Sequence, residues 1–375
     1  MKIKNRLQEA EFQELVRPKL KLFMSVDIVG STHYKQSNPK QQTPEWVGLF
    51  IGFFADFPER LVQAIRSHHP KLRLPRLWKA LGDELIFTVE LEKRADAAAY
   101  VKAHASALRS AACNWHSDST DTTRHELHLK GAAWLVGFPV GNVEIPCSPL
   151  HAQEGEGCDE TILSDDQDYI GPLVDMGFRL KEHASPRKLV IAADLAYLMI
   201  CASMPSDMRL FFEIDVQLKG VMRGKAYPVI WLDNDGYPAH EHNSSSANVN
   251  RLKDTLMGRH ETKIEDLRNY LKAWLASAKG CPCIPFLEQD PDADFIPGEG
   301  YEERRQETIS VLQRTFFPDS PSTAEQTGED QLPPGSQELL AGLGRMRRQT
   351  SKKTAPRLTA KKSAAAKKTS RKRPK

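Results

Sequence analysis

Apolar and polar positions along the chain fall into runs that separate strands from helices as far as Leu232. Lys19–Val26 is apolar-rich and gives way to Asp27-Ile28-Val29-Gly30-Ser31-Thr32, the signature of a strand entering a turn. Across Thr43–Ile65 the residues Trp46, Val47, Leu49, Phe50, Phe53, Phe54, Leu61 and Ile65 recur at helical spacings, and Pro58 predicts a break or kink among them. This aromatic stripe reads as core, with one ring placed to border a ligand pocket. Leu74–Ala80 and Leu85–Glu90 read as strands joined by the hairpin Leu81-Gly82-Asp83-Glu84. Lys93–Trp115 is an Ala-rich helix and Glu126–Val136 a strand. Gly171–His183 (helix), Lys188–Ala192 (strand), Ala193–Met204 (helix) and the strands Phe211–Leu218 and Ala226–Leu232 follow. The order β-α-β-β-α-β with αβ material after it predicts an α+β, ferredoxin-like sandwich with an extension.

Beyond that point the pattern changes. Asp233–Asn250 is polar and turn-rich, Arg251–Lys279 a charged amphipathic helix, Ile284–Phe286 a short apolar patch and Arg304–Phe317 one more helix. Pro318–Ser336 and the last thirty or so residues have the composition of disorder. The expected division is 1–235, a mainly helical 236–317, and a linker with basic tail over 318–375. From Arg345 to Lys375 there are 14 Lys/Arg and no acid, which leaves 38 basic against 49 acidic residues in the rest. An acidic body excludes nucleic-acid binding by bulk charge, whereas the tail alone suits non-specific contact with a polyanion. No apolar run approaches the roughly 18 residues of a membrane span. With a charged N-terminus and six scattered cysteines, read as reduced thiols, this points to the cytoplasm.

Three constellations can carry chemistry. Asp27 ends a strand just before a small-residue turn, where a carboxylate with the Ile28 carbonyl can hold a hard divalent cation; an ordinary strand-to-helix turn has the same composition. Lys79-Ala80-Leu81-Gly82-Asp83-Glu84 places a second carboxylate on a hairpin tip, and in a β-α-β-β core that hairpin neighbours the first strand, so Asp27 and Asp83 can meet. Asp168–Leu180 contains Asp175 and Arg179 four apart on a helix, either a surface ion pair or a guanidinium aimed at a phosphate. His125 and His128 lack a third zinc ligand, and Cys281-Pro282-Cys283 lacks zinc spacing.

Taken together, these residues resemble the class III nucleotidyl cyclases over roughly Lys19–Asp233. The family pattern is a strand ending in a metal Asp, then Lys-x-x-Gly-Asp on a hairpin, then Asp-x-x-Gly-x-x-Val-Asn-x-x-x-Arg. Asp27 and Asp83 match its metal aspartates, Lys79 and Asp168 its base-reading pair, and Arg179 its transition-state arginine. Asp175 stands where purine cyclases carry Asn, which leaves it the role of orienting Arg179. That block, with Trp78-Lys79-x-x-Gly82-Asp83-Glu84-Leu85 and Lys130-Gly131-Ala132-Ala133-Trp134, looks like the bacterial pyrimidine cyclases of Pycsar antiphage systems. A diguanylate cyclase hairpin would read Gly-Gly-Asp-Glu-Phe, and Leu81 departs from it.

The resemblance implies two Mg²⁺ or Mn²⁺ ions per site on Asp27, Ile28 and Asp83, and conversion of UTP or CTP to the 3′,5′-cyclic monophosphate. It also implies a homodimer with two composite sites, a downstream effector activated by the cyclic nucleotide, and a basic residue among Lys219, Arg223 and Lys225 on the leaving phosphates. Chemically, a Lys donor beside an Asp acceptor fits adenine, cytosine and uracil alike. Adenylate cyclase and an inactive nucleotide-binding sensor are the alternatives, with a tail-centred nucleic-acid module behind them. Only the likeness favours pyrimidines, with UTP ahead of CTP.

Overall fold

Lys19–Val29 sets the frame. Leu20, Leu22, Met24, Val26 and Ile28 turn to one face of the sheet, and Lys19, Lys21, Phe23, Ser25 and Asp27 to the other. The computed structural model describes residues 2–3, 7–36, 45–117, 127–148, 162–202, 204–221, 224–234, 244–277 and 300–317. In chain order the elements are β1 (Lys2–Ile3), α1 (Glu9–Val16), β2 (Lys19–Val29), α2 (Ser31–Gln36), α3 (Glu45–His68), β3 (Arg76–Leu81), β4 (Glu84–Glu90), α4 (Arg94–Ser117), β5 (His128–Phe138), β6 (Val143–Ser148), β7 (Gln167–Ile170), α5 (Pro172–Leu180), β8 (Lys188–Ile191), α6 (Ala193–Cys201), β9 (Leu210–Gln217), β10 (Ala226–Asp233), α7 (Ser244–Leu256), α8 (Ile264–Ser277) and α9 (Tyr301–Phe316). Met1–Asp319 form one compact unit; the rest, including the basic tail, lies outside the described residues.

The main sheet has the order β3-β4-β2-β5-β8-β10-β9. Its first four strands carry the ferredoxin-like arrangement, with α3 linking β2 to β3 and α4 linking β4 to β5. Helices α3 and α4 cover the Met24 face: Phe57 lies against Phe87 and His104, and the His104 Nε2–H donates to the Ser25 carbonyl at 3.0 Å. On the opposite face Phe23 meets Trp78, Trp134 and Tyr169. A second sheet, β1-β6-β7, is pinned to that face by Lys19 and Lys21, both 2.7 Å from the Glu144 carboxylate.

Several expectations change. Helix α3 continues through Pro58, because Phe50, Phe53, Phe57, Leu61 and Ile65 form a buried stripe on both sides of it. The stripe is core, as expected, with Trp46 and Phe54 at its edge. The single helix expected over Arg251–Lys279 is two, α7 and α8. Gly258, at φ +64°, ends α7 with Arg259 N–H on the Asp254 carbonyl and Gly258 N–H on that of Thr255, a Schellman stop. Helix α1 and the small sheet had no counterpart in the sequence reading; α1 buries Phe12, Leu15 and Val16 against Leu312 and Phe316 of α9. Helix α8 buries Leu267 and Leu271 in the main core. The Ile284–Phe286 patch lies outside the described residues. No described helix is long and apolar enough to cross a membrane.

Two buried ionisable groups make stability pH-dependent in opposite directions. Burial pushes the Asp194 carboxyl up to about 7 and the His104 imidazole down to about 4. The buried aspartic acid is favoured while neutral, so its contribution is present below the unfolded value near 3.9 and is lost as pH rises toward 7, about 4 kcal/mol in all. For the histidine the loss comes as pH falls from about 6.5 toward 4. Asp194→Asn removes the first titration. Its stability relative to wild type, from denaturant melts, is expected to climb between pH 4 and 7 by about 2–4 kcal/mol. A flat difference over that range would place the ionisation elsewhere.

Candidate active site

The hairpin between β3 and β4 is a two-residue turn, Gly82-Asp83, with Gly82 at φ +71°. The Ile28 N–H donates to the Asp83 carbonyl at 3.3 Å, so the end of β2 is tied to the hairpin tip and Asp27 and Asp83 stand on neighbouring chain segments. Asp27 lies in register with Glu84 on one side and Lys130 on the other. Its Oδ2 is 3.1 Å from the Lys130 ammonium, and Glu84 is ion-paired to Lys181 just beyond α5. The result is a row of charges across β4, β2 and β5. Burial raises the Glu84 carboxyl above the usual range, opposed by Lys181.

Among the described residues no three His, Cys, Asp or Glu side chains gather into a metal-holding group, and that includes His128. Two carboxylates do suit Mg²⁺ or Mn²⁺ of the kind completed by substrate phosphates. The Lys130 ammonium already marks the position beside Asp27 as one that takes a cation.

The second group is built on a bulge. In β3, Leu77 pairs with Phe87 and Lys79 with Ile86, so Trp78 is the extra residue. Successive side chains that would otherwise diverge therefore reach one carboxylate. Lys79 Nζ lies 2.8 Å from Asp168 Oδ1, and the Trp78 indole N–H donates to the same oxygen at 3.1 Å. The structure thus joins the two residues that the resemblance paired.

The third group rides on α5. Gly171 opens it at φ +143°, where a Cβ would meet Asn142, and the Asn142 side-chain oxygen accepts the Leu173 N–H at 3.0 Å. One turn later Gly177 lies against Trp134 so closely that a Cβ would stand 2.2 Å from its ring. Arg179 is exposed, and its ion pair is with Glu182 at 3.5 Å rather than with Asp175, the partner expected from the i,i+4 spacing. Asp175 is exposed on the first turn of the same helix.

Lys219 is exposed after β9, and the Lys225 ammonium donates to the Ser277 carbonyl at 3.0 Å. Arg223, His125 and Cys281-Pro282-Cys283 lie outside the described residues. Strand directions place the β9–β10 turn at the end of the sheet opposite Asp27. Sequence reasoning gave no role to Glu84, Lys181 or Asn142. Only Glu84 had a signal, its place directly after Asp83.

No family model and no curated protein matches the chain. Solved structures similar to it include the adenylyl cyclase CyaB from P. aeruginosa, at 14% identity and TM-score 0.41 over 60% of this chain and 98% of that one. The guanylate cyclase domain of RhGC from Catenaria anguillulae in complex with GTP is similar at 9% identity and TM-score 0.37, over 58% and 97%. The guanylyl cyclase Cya2 gives 16% and 0.37 over 61% and 96%. The α+β class and ferredoxin-like strand order rest on the structure itself.

Proposed function

We propose that this chain is a nucleotidyl cyclase of the class III type, acting on UTP or CTP with UTP favoured. In this reading the ribose 3′-hydroxyl attacks the α-phosphorus of the triphosphate and pyrophosphate leaves. The observation that carries it is the Lys79–Asp168 pair at 2.8 Å, a donor and an acceptor fixed side by side within a fold that also brings Asp27 to Asp83. Asp27 and Asp83, with the Ile28 carbonyl, would hold two Mg²⁺ or Mn²⁺ ions. When bound, these ions would polarise the attacking hydroxyl and offset triphosphate charge. Lys79 donates to the base and Asp168 accepts from it. Arg179, whose ion pair among the described residues is an exposed one of the kind worth little, is available to stabilise charge growing at the α-phosphate. The preference for pyrimidines is supported by the Val174-Asp175-Met176 block and its neighbours rather than by the pair itself, and a role in antiphage signalling through an effector goes with it.

Strand directions favour a homodimer. Lys219 lies four strands from β2, about 19 Å sideways, as well as at the opposite end of the sheet. A lysine there serves a triphosphate on Asp27 only if it comes from a second chain; the resemblance implies the rest, two composite sites with metal carboxylates from one protomer and Lys79, Asp168 and Arg179 from its partner.

Incubation of the protein with each of the four NTPs and Mn²⁺, with products identified by mass, tests the reading. A 3′,5′-cyclic pyrimidine nucleotide is expected. A cyclic purine would keep the reaction and overturn the base preference, and binding without turnover would mark a nucleotide sensor. Mixing inactive Asp27→Ala with inactive Arg179→Ala protein is expected to restore activity, since one site of each mixed dimer keeps all its parts. Failure to restore it despite demonstrated subunit exchange would place the site within one protomer.

A further inference from the structure

The structure assigns to Trp78 the part of a specificity-determining positioning residue: its indole N–H fixes Asp168 so that a single carboxylate oxygen, Oδ2, is presented to the base of a nucleoside triphosphate. The inference rests on the nucleotide-binding part of the reading above and adds a residue to it.

Three donors converge on Asp168 Oδ1. They are the Lys79 ammonium at 2.8 Å, the Trp78 indole N–H at 3.1 Å and the backbone N–H of Tyr169 at 2.9 Å. Saturating one oxygen with a cation and two neutral donors sets the direction in which Oδ2 points. Asp168 keeps 30% side-chain exposure, so the carboxylate is open to a ligand.

Each donor is itself held. Trp78 is 7% exposed and packs edge-on against Phe23 and Tyr169, with ring centroids 5.3 and 5.2 Å apart. The Lys79 ammonium lies 4.5 Å from the centre of the Trp78 ring, so one indole steadies both halves of the donor–acceptor pair. The Tyr169 hydroxyl accepts from Lys21 at 2.8 Å and donates to Asp165 at 2.5 Å, and Asp165 also accepts from Thr88 at 2.6 Å. This anchors the backbone that supplies the third donor.

The ligand chemistry follows from the pair so fixed. An acceptor beside a cationic donor takes a base edge offering one N–H next to one acceptor, and turning Oδ2 away from that edge would leave the N–H of the base unpaired. Without the indole N–H, Asp168 keeps its lysine but loses the constraint on direction. Discrimination between bases should therefore suffer more than chemistry.

The test compares wild type with Trp78→Phe, which keeps an aromatic ring in the cluster and removes the donor. A second variant carrying 3-benzothienylalanine at position 78 keeps the bicyclic shape with sulfur in place of N–H. Equilibrium binding of all four NTPs is measured with Ca²⁺ in place of Mn²⁺, alongside kcat and KM with Mn²⁺. Both variants are expected to lose about tenfold or more in affinity for the preferred nucleotide and to narrow the gap between best and worst base at least fivefold. Turnover at saturation is expected to stay within about threefold of wild type. The binding arm judges Trp78 even if no turnover occurs, so failure of the cyclase reading is seen separately. If Trp78→Phe fails to fold, the benzothienyl variant decides. Unchanged affinity and base preference in a folded variant, or a wild type that binds no nucleotide, would overturn the inference.

Discussion

Asp27→Ala and Asp83→Ala are each expected to abolish formation of cyclic nucleotide, lowering turnover by at least about a hundredfold while the fold persists. Asp27 sits at the end of an eleven-residue strand whose interior is buried on both faces, so removing its carboxylate leaves the sheet intact. Asp83 occupies a turn whose geometry depends on Gly82 and on the Asp83 backbone carbonyl, neither of which the substitution changes. Asp27→Ala also removes the carboxylate that lies 3.1 Å from the Lys130 ammonium, which leaves a local excess of positive charge there. Thermal melts within a few degrees of wild type, together with lost turnover in a mass-resolved assay, form the expected result. Turnover within about threefold of wild type in either variant would remove that residue from the proposed metal site.

Gly177→Ala is expected to destabilise the protein by about 2–4 kcal/mol and to lower activity more than tenfold, although it touches no proposed ligand. A Cβ at 177 would stand 2.2–2.4 Å from three atoms of the Trp134 ring system, and Trp134 is fully buried on the central strand β5. With the indole unable to retreat, α5 must lift, and it carries Arg179 and is followed by Lys181, which holds Glu84. Adding Trp134→Leu to Gly177→Ala makes room beneath the helix. The double variant is expected to recover part of the lost melting temperature relative to Gly177→Ala alone. Strict additivity of the two substitutions would mean that the helix is not seated on that ring.

What was legible in the sequence was local. Asp27 before Gly30-Ser31-Thr32, and Gly82-Asp83 between two apolar runs, announce themselves through turn chemistry. The period of the flanking strands then puts them side by side. The strand pair β6–β7 was not legible: β7 has four residues, and a long stretch of chain separates it from its partner. Helix α1 is short, and its apolar face acquires a meaning only once α9 supplies Leu312 and Phe316. Glu182 as the partner of Arg179 depends on the 3-10 turn Lys181–His183 that extends α5, a detail of chain path that residue spacing does not carry. Nothing in the helix expected over Gly171–His183 singles out Gly177, because the ring that forbids a side chain there belongs to another element.

The bulge in β3 gives the number of residues in that strand a chemical meaning. An extended chain turns over with every residue, so the count from Arg76 to the hairpin has a parity, and the extra residue at Trp78 inverts it. Deleting Leu77 would restore an even ladder below the tip and set Trp78 and Lys79 back to opposite faces, while Gly82 and Asp83 kept their places. Every residue type in the proposed metal half of the site would survive such a change, and the half proposed to read the base would be lost. The information that joins the two halves is therefore a chain length, one that no composition or residue-by-residue inventory records.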